Sequence, residues 1–384
     1  MTGYNLSMGP QHPALPESER LVLKVDGEMV TEADIELGYM HRGIEELTYR
    51  KNYVQNIYLC ERVCGICSCS HSTAYCTTIE KLLGLEVPER AQYIRTMVLE
   101  MERLHSHMLW AGLVAYEIGF DTLFHLVWRD REIVMELIEK LTGKRVNYGV
   151  NAIGGVRRDL PDAMRPQVIA GMDKLEKRVR RYMKIFTGDR MVRKRMEGVG
   201  VLSRADAIRL GLVGPLARAS GLDFDVRKND AYCAYDKVDF RPVIGEAGDV
   251  MSRAVVRLQE LLESTRIVKH CVEKMPEGEL KVRAPATIPA NEAVSRIEAP
   301  RGELFYYVKS AGNDRPARVR TRTPTYANII ALKTILKGCQ LADVPIITAS
   351  IDPCFSCTDR MIVLDANTGQ RTVASKYEFL GGKP

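Results

Sequence analysis

Apolar residues recur at three- and four-residue steps along four long stretches of the chain. Across residues 88–119 they fall at Tyr93, Met97, Met101, Leu104 and Met108, one face of a helix whose first turn suits Pro88 and the acidic Glu89. The same period runs through residues 121–141 and 162–186, and through 246–272, where Met251, Val255, Leu258 and Leu262 align. Four such helices predict a bundle core. At the margins the period drops to two: residues 20–30 alternate around a turn at Gly27, and residues 304–309 and 317–322 alternate on either side of Gly312-Asn313-Asp314. Each predicts a hairpin. A last helix is predicted at 326–337, followed by an apolar run at 344–351. The pattern predicts a mainly α fold, a long-helix bundle core with small peripheral β-hairpins, forming one large body over residues 1–360. Within it, residues 1–35 read as a β-rich margin, 36–275 as the helical core and 276–360 as a mixed α/β margin.

With 46% hydrophobic and 27% charged residues, the chain has the balance of a globular protein rather than of a disordered or fibrous one. Its longest nearly uninterrupted apolar run, residues 108–116, falls far short of the ~20 residues a membrane-spanning helix needs. The opening MTGYNLSMGPQHP lacks the basic-then-apolar order of a secretory signal, so a cytosolic-side location is expected. A net charge of +6 is mild and does not by itself imply nucleic acid. The basic run 177–195 overlaps an amphipathic helix and lacks interleaved stacking aromatics, so it reads as a solvated face or a subunit contact.

Ten cysteines change the picture, because in a reducing compartment thiols serve more often as metal ligands or redox groups than in disulfides. Cys64 and Cys67 form one C-x-x-C, and Cys354 and Cys357 form another. Two intervening residues let both sulfurs face one ion, and backbone N–H groups at such a turn favour thiolate. A structural zinc site is the ordinary reading of paired C-x-x-C motifs. Here, however, the pairs stand 290 residues apart, whereas zinc modules place the second pair within ~15–20 residues. Both chain ends are therefore expected to converge on a buried metal site, and thiolates suit nickel, iron and copper as well as zinc. Cys60, Cys69, Cys76, Cys233, Cys271 and Cys339 lack ligand spacing and read as free thiols.

Four motifs in order carry a resemblance: R-G-I-E at 42–45, R-V-C-G-I-C-S-C-S-H at 62–71, E-A-P-R-G at 298–302 and D-P-C-F-S-C-T-D-R at 352–360. Over essentially its whole length the chain resembles the large, catalytic subunit of [NiFe]-hydrogenases, in the energy-converting, membrane-associated group related to respiratory complex I. G-P-Q-H-P at 9–13, G-V-G-V-L-S at 198–203 and G-P-L-A-R-A-S-G at 214–221 also resemble the quinone-chamber subunit of complex I, a relative that has lost the metal site. Retention of all four cysteines separates the two readings. Gly198 and Gly200 do not read as a dinucleotide loop, since Ser203 stands where a third glycine belongs and no β-α-β pattern surrounds them.

The resemblance implies roles. Cys64 and Cys354 would be terminal nickel ligands, while Cys67 and Cys357 would bridge nickel to an iron carrying cyanide and carbon monoxide, Fe(CN)2CO. A thiolate would take the proton when H2 splits heterolytically. Glu17 matches the carboxylate that relays this proton, with Glu19 as the nearby competitor. Arg301 resembles the arginine that overhangs the metals, a charge that does not titrate, and with Pro300 and Asp352 it would form the outer wall. His71 is expected to hydrogen-bond a bridging cysteine and tune its basicity.

Many relatives end the second motif in histidine, which shares an ion with the R-G-x-E glutamate. Arg360 stands there instead and is expected to replace the ion by pairing with Glu45. Relatives with this ending are commonly cut after the arginine once nickel is loaded, which marks 361–384 as an extension of the propeptide kind. Iron–sulfur clusters are expected in partners only: a small hydrogenase subunit with a [4Fe-4S] cluster and a ferredoxin-like electron-transfer subunit, beside membrane ion-translocating subunits. The implied activity is reversible, ferredoxin-driven reduction of protons to H2 at the cytoplasmic face of the membrane, coupled to ion translocation. A metal-free connecting subunit like that of complex I is the alternative, and a structural zinc protein a weaker third.

Overall fold

The computed structural model describes residues 3–15, 17–359, 363–364, 367–368 and 371–372. In chain order the elements are β1 (Tyr4–Met8), β2 (Arg20–Asp26), β3 (Met29–Glu36), α1 (Ile44–Thr48), α2 (Tyr53–Glu61), α3 (Ser68–Leu83), α4 (Glu89–Glu117) and α5 (Asp121–Thr142). A small pair, β4 (Asn151–Ala152) and β5 (Gly155–Val156), precedes α6 (Arg165–Gly188), α7 (Arg190–Met196), α8 (Arg204–Arg209), α9 (Gly214–Arg218), α10 (Val226–Asn229) and α11 (Val250–Lys274). The last third holds β6 (Asn291–Ala299), β7 (Gly302–Ser310), β8 (Pro316–Arg322), α12 (Pro324–Asn328), α13 (Leu332–Ile335), α14 (Val344–Ser350), β9 (Val363–Leu364) and β10 (Arg371–Thr372).

The four predicted helices form the bundle: α4 packs on α5 and α11, and α6 packs on the same two. Their apolar stripes drive this. Leu123, Val127 and Val134 of α5 and Val168, Met172 and Leu175 of α6 are fully buried, each such side chain stabilising the fold by about 1.5–3 kcal/mol. The fourth helix begins at Val250 rather than at 246, because the Asp249 side chain accepts from Ser252 N and sets the start.

Both predicted hairpins are parts of three-stranded antiparallel sheets. One has the order β1-β2-β3, with β3 running on to Glu36, and the other β6-β7-β8, with β7 central and packed on α3. The predicted helix at 326–337 is corrected more substantially. It starts at Pro324, passes through a 3-10 turn at Ile329–Ala331 and ends at Ile335. The Asn328 side chain explains the break, since it accepts from Val213 N and donates to Val213 O and Arg301 O instead of lying free on a helix surface.

These elements bring the two cysteine pairs together. Cys64 and Cys67 occupy the turn from α2 into α3, and α14 delivers Cys354 and Cys357. Helix α4 lies against both α3 and α14, with Trp110 Nε1 donating to Ala349 O at 2.8 Å. Among the described residues, no helix is long and apolar enough to cross a membrane.

Candidate metal centre

Cys67 sits at the N-terminal end of α3, directly before its first residue, Ser68. Its partner across the site is Cys357, with the Sγ atoms 4.0 Å apart, and the Sγ atoms of Cys64 and Cys354 are 3.3 Å apart. All four residues are buried and all are free thiols. The sulfurs of Cys64, Cys354 and Cys357 lie within 4.8 Å of one another. Sulfurs bound to one tetrahedral ion at about 2.3 Å are about 3.8 Å apart, so the donor set fits a shared metal centre of soft character. Hydrogen bonds from Cys354, Cys357 and Cys67 hold the Cys64 thiol well below its ordinary range, and Arg301 adds to this. Donation to Cys354, Cys64 and Cys67, Cys354 first, pushes Cys357 well above it.

The loops around the sulfurs are clamped from the R-G-I-E segment. One guanidinium, Arg42, donates to Arg62 O at 2.9 Å, and to Val63 O at 2.7 Å and Ser356 O at 2.9 Å, the carbonyls that directly precede Cys64 and Cys357. Asp359 closes the clamp by accepting from Arg42 N at 2.7 Å and Ile44 N at 2.9 Å.

Of the two candidate carboxylates, Glu17 reaches the thiol loop. Its oxygens accept from Ser356 N at 2.8 Å and Ser356 Oγ at 2.6 Å. Glu19 is instead sealed in the interior, with neither oxygen hydrogen-bonded among the described residues, and burial pushes its carboxyl up to about 8.

Arg301 is held where the E-A-P-R-G motif turns into β7. It donates from Nε to Asp352 O at 2.8 Å, from Nη2 to Asp352 Oδ1 at 2.7 Å and from Nη1 to Ser106 Oγ at 3.1 Å. Two glycines allow this: a Cβ on Gly214 would lie 2.4 Å from Arg301 O, and one on Gly302 would lie 2.8 Å from Gly214 N. His71 places Nδ1 2.7 Å from the Tyr306 hydroxyl and Nε2 3.9 Å from Cys357 Sγ. Burial drives its pKa down to about 4, and a neutral ring that accepts from Tyr306 presents Nε2–H to the sulfur.

Glu45 is engaged by Arg320 and by Thr321 N at 3.0 Å. Its expected partner Arg360, and most of the extension 361–384, lie outside the described residues.

Sequence reasoning missed a buried ionic layer beneath the site. Arg218 donates to Glu260 and Glu298 at 2.8 Å each, Arg227 to Asp225 at 2.7 Å, and Glu100 accepts from Arg227 at 3.1 Å and from the Tyr235 hydroxyl at 2.5 Å. Glu102, also buried, accepts from Cys69 N at 2.6 Å and Ser70 N at 2.9 Å and so anchors the start of α3. A signal was present: Glu100, Arg103 and His107 recur at helical steps on α4 between its apolar positions, as do Arg253, Arg257 and Glu260 on α11.

Helical bundle, flanking sheets and converging thiols together define a hydrogenase-type large-subunit body. Residues 117–291 and 282–360 match the family described as the respiratory-chain NADH dehydrogenase 49 Kd subunit, and residues 42–113 match nickel-dependent hydrogenase. The chain is 45% identical to a carbon monoxide-induced hydrogenase of Rhodospirillum rubrum, covering 94% of this chain and 100% of the relative. It is 40% identical to the membrane-bound hydrogenase subunit alpha of Pyrococcus furiosus (98% and 91%), and 38% identical to an NADH-quinone oxidoreductase subunit of Rhizobium meliloti (92% and 95%). A solved chain of the membrane-bound sulfane sulfur reductase, an archaeal respiratory membrane complex, superposes with a TM-score of 0.89 at 35% identity, covering 93% of this chain and 98% of that one. The chain belongs to the family that unites [NiFe]-hydrogenase large subunits of membrane complexes with the 49 Kd subunit of complex I.

Proposed function

We propose that this chain is the catalytic subunit of a membrane-associated, energy-converting [NiFe]-hydrogenase that interconverts protons and H2. Electrons come from a ferredoxin through iron–sulfur clusters of a partner subunit, and turnover is coupled to ion translocation by membrane partners. The observation that carries this reading is the meeting of four buried thiols from opposite chain ends, a costly arrangement that a purely connecting subunit does not need. Cys64, Cys67, Cys354 and Cys357 would hold the nickel, with Cys67 and Cys357 shared with an iron bearing cyanide and carbon monoxide. When bound, such a centre supplies thiolate-ligated redox chemistry for H2. The chain supplies the rest. Glu17, fixed through Ser356 between the second pair, takes the proton released at the Cys354 thiol. Arg301, braced by Asp352, holds a positive charge over the sulfurs without titrating, and His71 steadies Cys357.

Long matches to the complex I subunit favour a second reading, a metal-free connecting subunit. Elemental analysis of the purified complex separates them: nickel with iron supports the hydrogenase, neither metal the connecting subunit, and zinc alone a structural site. Cys357→Ala is expected to abolish nickel retention. Glu17→Gln is expected to keep the metals yet slow H/D exchange at least tenfold, and undiminished exchange would remove Glu17 from the relay.

A further inference from the structure

The basic run that the metal chemistry leaves unused lies on α6 and α7. From 174 to 195 there are ten Lys and Arg against two acidic residues, a net +8 in a chain whose total is +6, so the remainder is weakly acidic. Lys174, Lys177, Arg178, Arg181 and Lys184 recur at three- and four-residue steps, along the side of α6 opposite the buried stripe that ends at Phe186. Arg178 pairs with Asp130, but Lys174, Lys177, Arg181 and Lys184 meet no acidic group among the described residues. On α7, Arg190 and Lys194 lie on the side opposite the buried Val192 and Met196 and are likewise unpaired among the described residues.

Like charges at this spacing repel one another and destabilise a helix. The row therefore does nothing for α6 itself, which is held by its packing on α5 and α11. Its shape narrows what meets it. Over α6 the row is about 15 Å long. A membrane-binding face would combine its cations with insertable Trp, Phe or Leu. Here the large exposed apolar residue is Met191, at one end, while Tyr182 and Phe186 are buried. That burial also removes the stacking aromatics a nucleic-acid groove would use.

We infer that the outer face of α6 and α7 docks an acidic helix or extended acidic segment of a partner subunit, whose carboxylates meet Lys174, Lys177, Arg181 and Lys184. The assignment holds whether or not the thiol cluster carries nickel. Exposed charge pairs of this kind set association rate and salt sensitivity more than tightness.

Zero-length carbodiimide coupling joins a lysine amine to a carboxylate it touches, and it tests the docking in the intact complex purified from membranes. Peptide mass spectrometry is expected to find Lys174, Lys177 or Lys184 linked to a cluster of Asp or Glu in one other subunit. Combined Lys177→Glu, Arg181→Glu and Lys184→Glu substitutions leave the buried face untouched. They are expected to cut retention of that subunit at least tenfold at moderate salt, with the chain's own unfolding midpoint unchanged. Three results would overturn the inference: no intersubunit link from these lysines while others of the chain do link, full subunit retention by the triple variant, or row-dependent binding to phosphatidylserine vesicles in place of the protein link.

Discussion

Two glutamates two positions apart show how much a single side chain's surroundings decide. Glu17 is tied to Ser356 in the thiol loop, while Glu19 is buried with no hydrogen-bond partner among the described residues. Burial raises Glu19 from an ordinary 4.5 to about 8, so between these values the folded chain keeps a proton that the unfolded chain releases. A raised carboxyl pKa makes stability fall as pH rises through that window. Glu19→Gln is expected to match the parent chain below pH 4.5 and to exceed it above pH 8, by on the order of 5 kcal/mol. Denaturation midpoints across that range check this, and a gap independent of pH would contradict it. Buried Glu102, also raised to about 8 by burial, leaves part of the slope in place. Arg42 acts through geometry instead. Losing its three charged hydrogen bonds at an exposed position, Arg42→Ala is expected to cost about 1–2 kcal/mol in urea unfolding. Nickel retention should fall with it, and Arg42→Lys, which lacks the forked donor, should restore only a fraction. Unchanged metal content in Arg42→Ala would show that the clamp does not position the sulfurs.

Among the elements, those with a clean apolar period were legible and those shaped by the site were not. The stripes of α5 and α6 read directly as helices because one face alone is buried. Helix α3 was invisible because its S-C-S-H-S-T-A-Y-C-T-T sequence has no apolar stripe. It is buried on nearly every side, and its hydroxyls bond back along the helix, as in Ser72 Oγ to Ser68 O at 3.1 Å and Thr78 Oγ1 to Ala74 O at 2.8 Å. Strand β6 escaped because only Ser295 and Ile297 mark its inner face before the alternation ends. The motif residues that meet at the thiols were legible through family resemblance, whereas the partners within the ionic layer were not, since Arg218–Glu260, Arg218–Glu298 and Arg227–Glu100 each join distant segments. Contact between α9 and the turn into β7 shows the same dependence on tertiary context. Gly214 at φ +69 faces Gly302 at φ +128 with no room for a side chain. Gly214→Ala is therefore expected to destabilise the fold by about 3 kcal/mol or more and to displace Arg301. A drop in unfolding midpoint with a changed spectroscopic signature at the thiol site would be the combined readout. A drop in midpoint alone would assign the glycine to packing only.

At the scale of the whole molecule, the thiol cluster is a closure. It joins segments 290 residues apart, and a cross-link over that span removes up to about 5 kcal/mol of chain entropy from the unfolded state. Hydrogen bonds also join the same ends: Arg42 and Asp359 to the opposing loops, Glu17 to Ser356, and β3 to residues 338–341, with Val30 N donating to Cys339 O at 2.9 Å and Gly338 N to Val30 O at 2.7 Å. The bundle of α4, α5, α6 and α11 belongs to a continuous hydrophobic core that the four cysteines stand outside of, so its packing does not run through the closure. Stripping the metal is therefore expected to act unevenly. Amide hydrogen exchange in segments 62–71 and 344–359 should accelerate at least tenfold, while α5 and α6 keep their protection. Cys64→Ser and Cys354→Ser should reproduce that pattern without a chelator and should abolish any further response to one, because each removes a ligand from the same shell. If the bundle loses protection together with the loops, the centre is integral to the global fold and not a clasp on a body that stands without it. If neither changes, the sulfurs meet without binding, and the chain is the metal-free connector of its family.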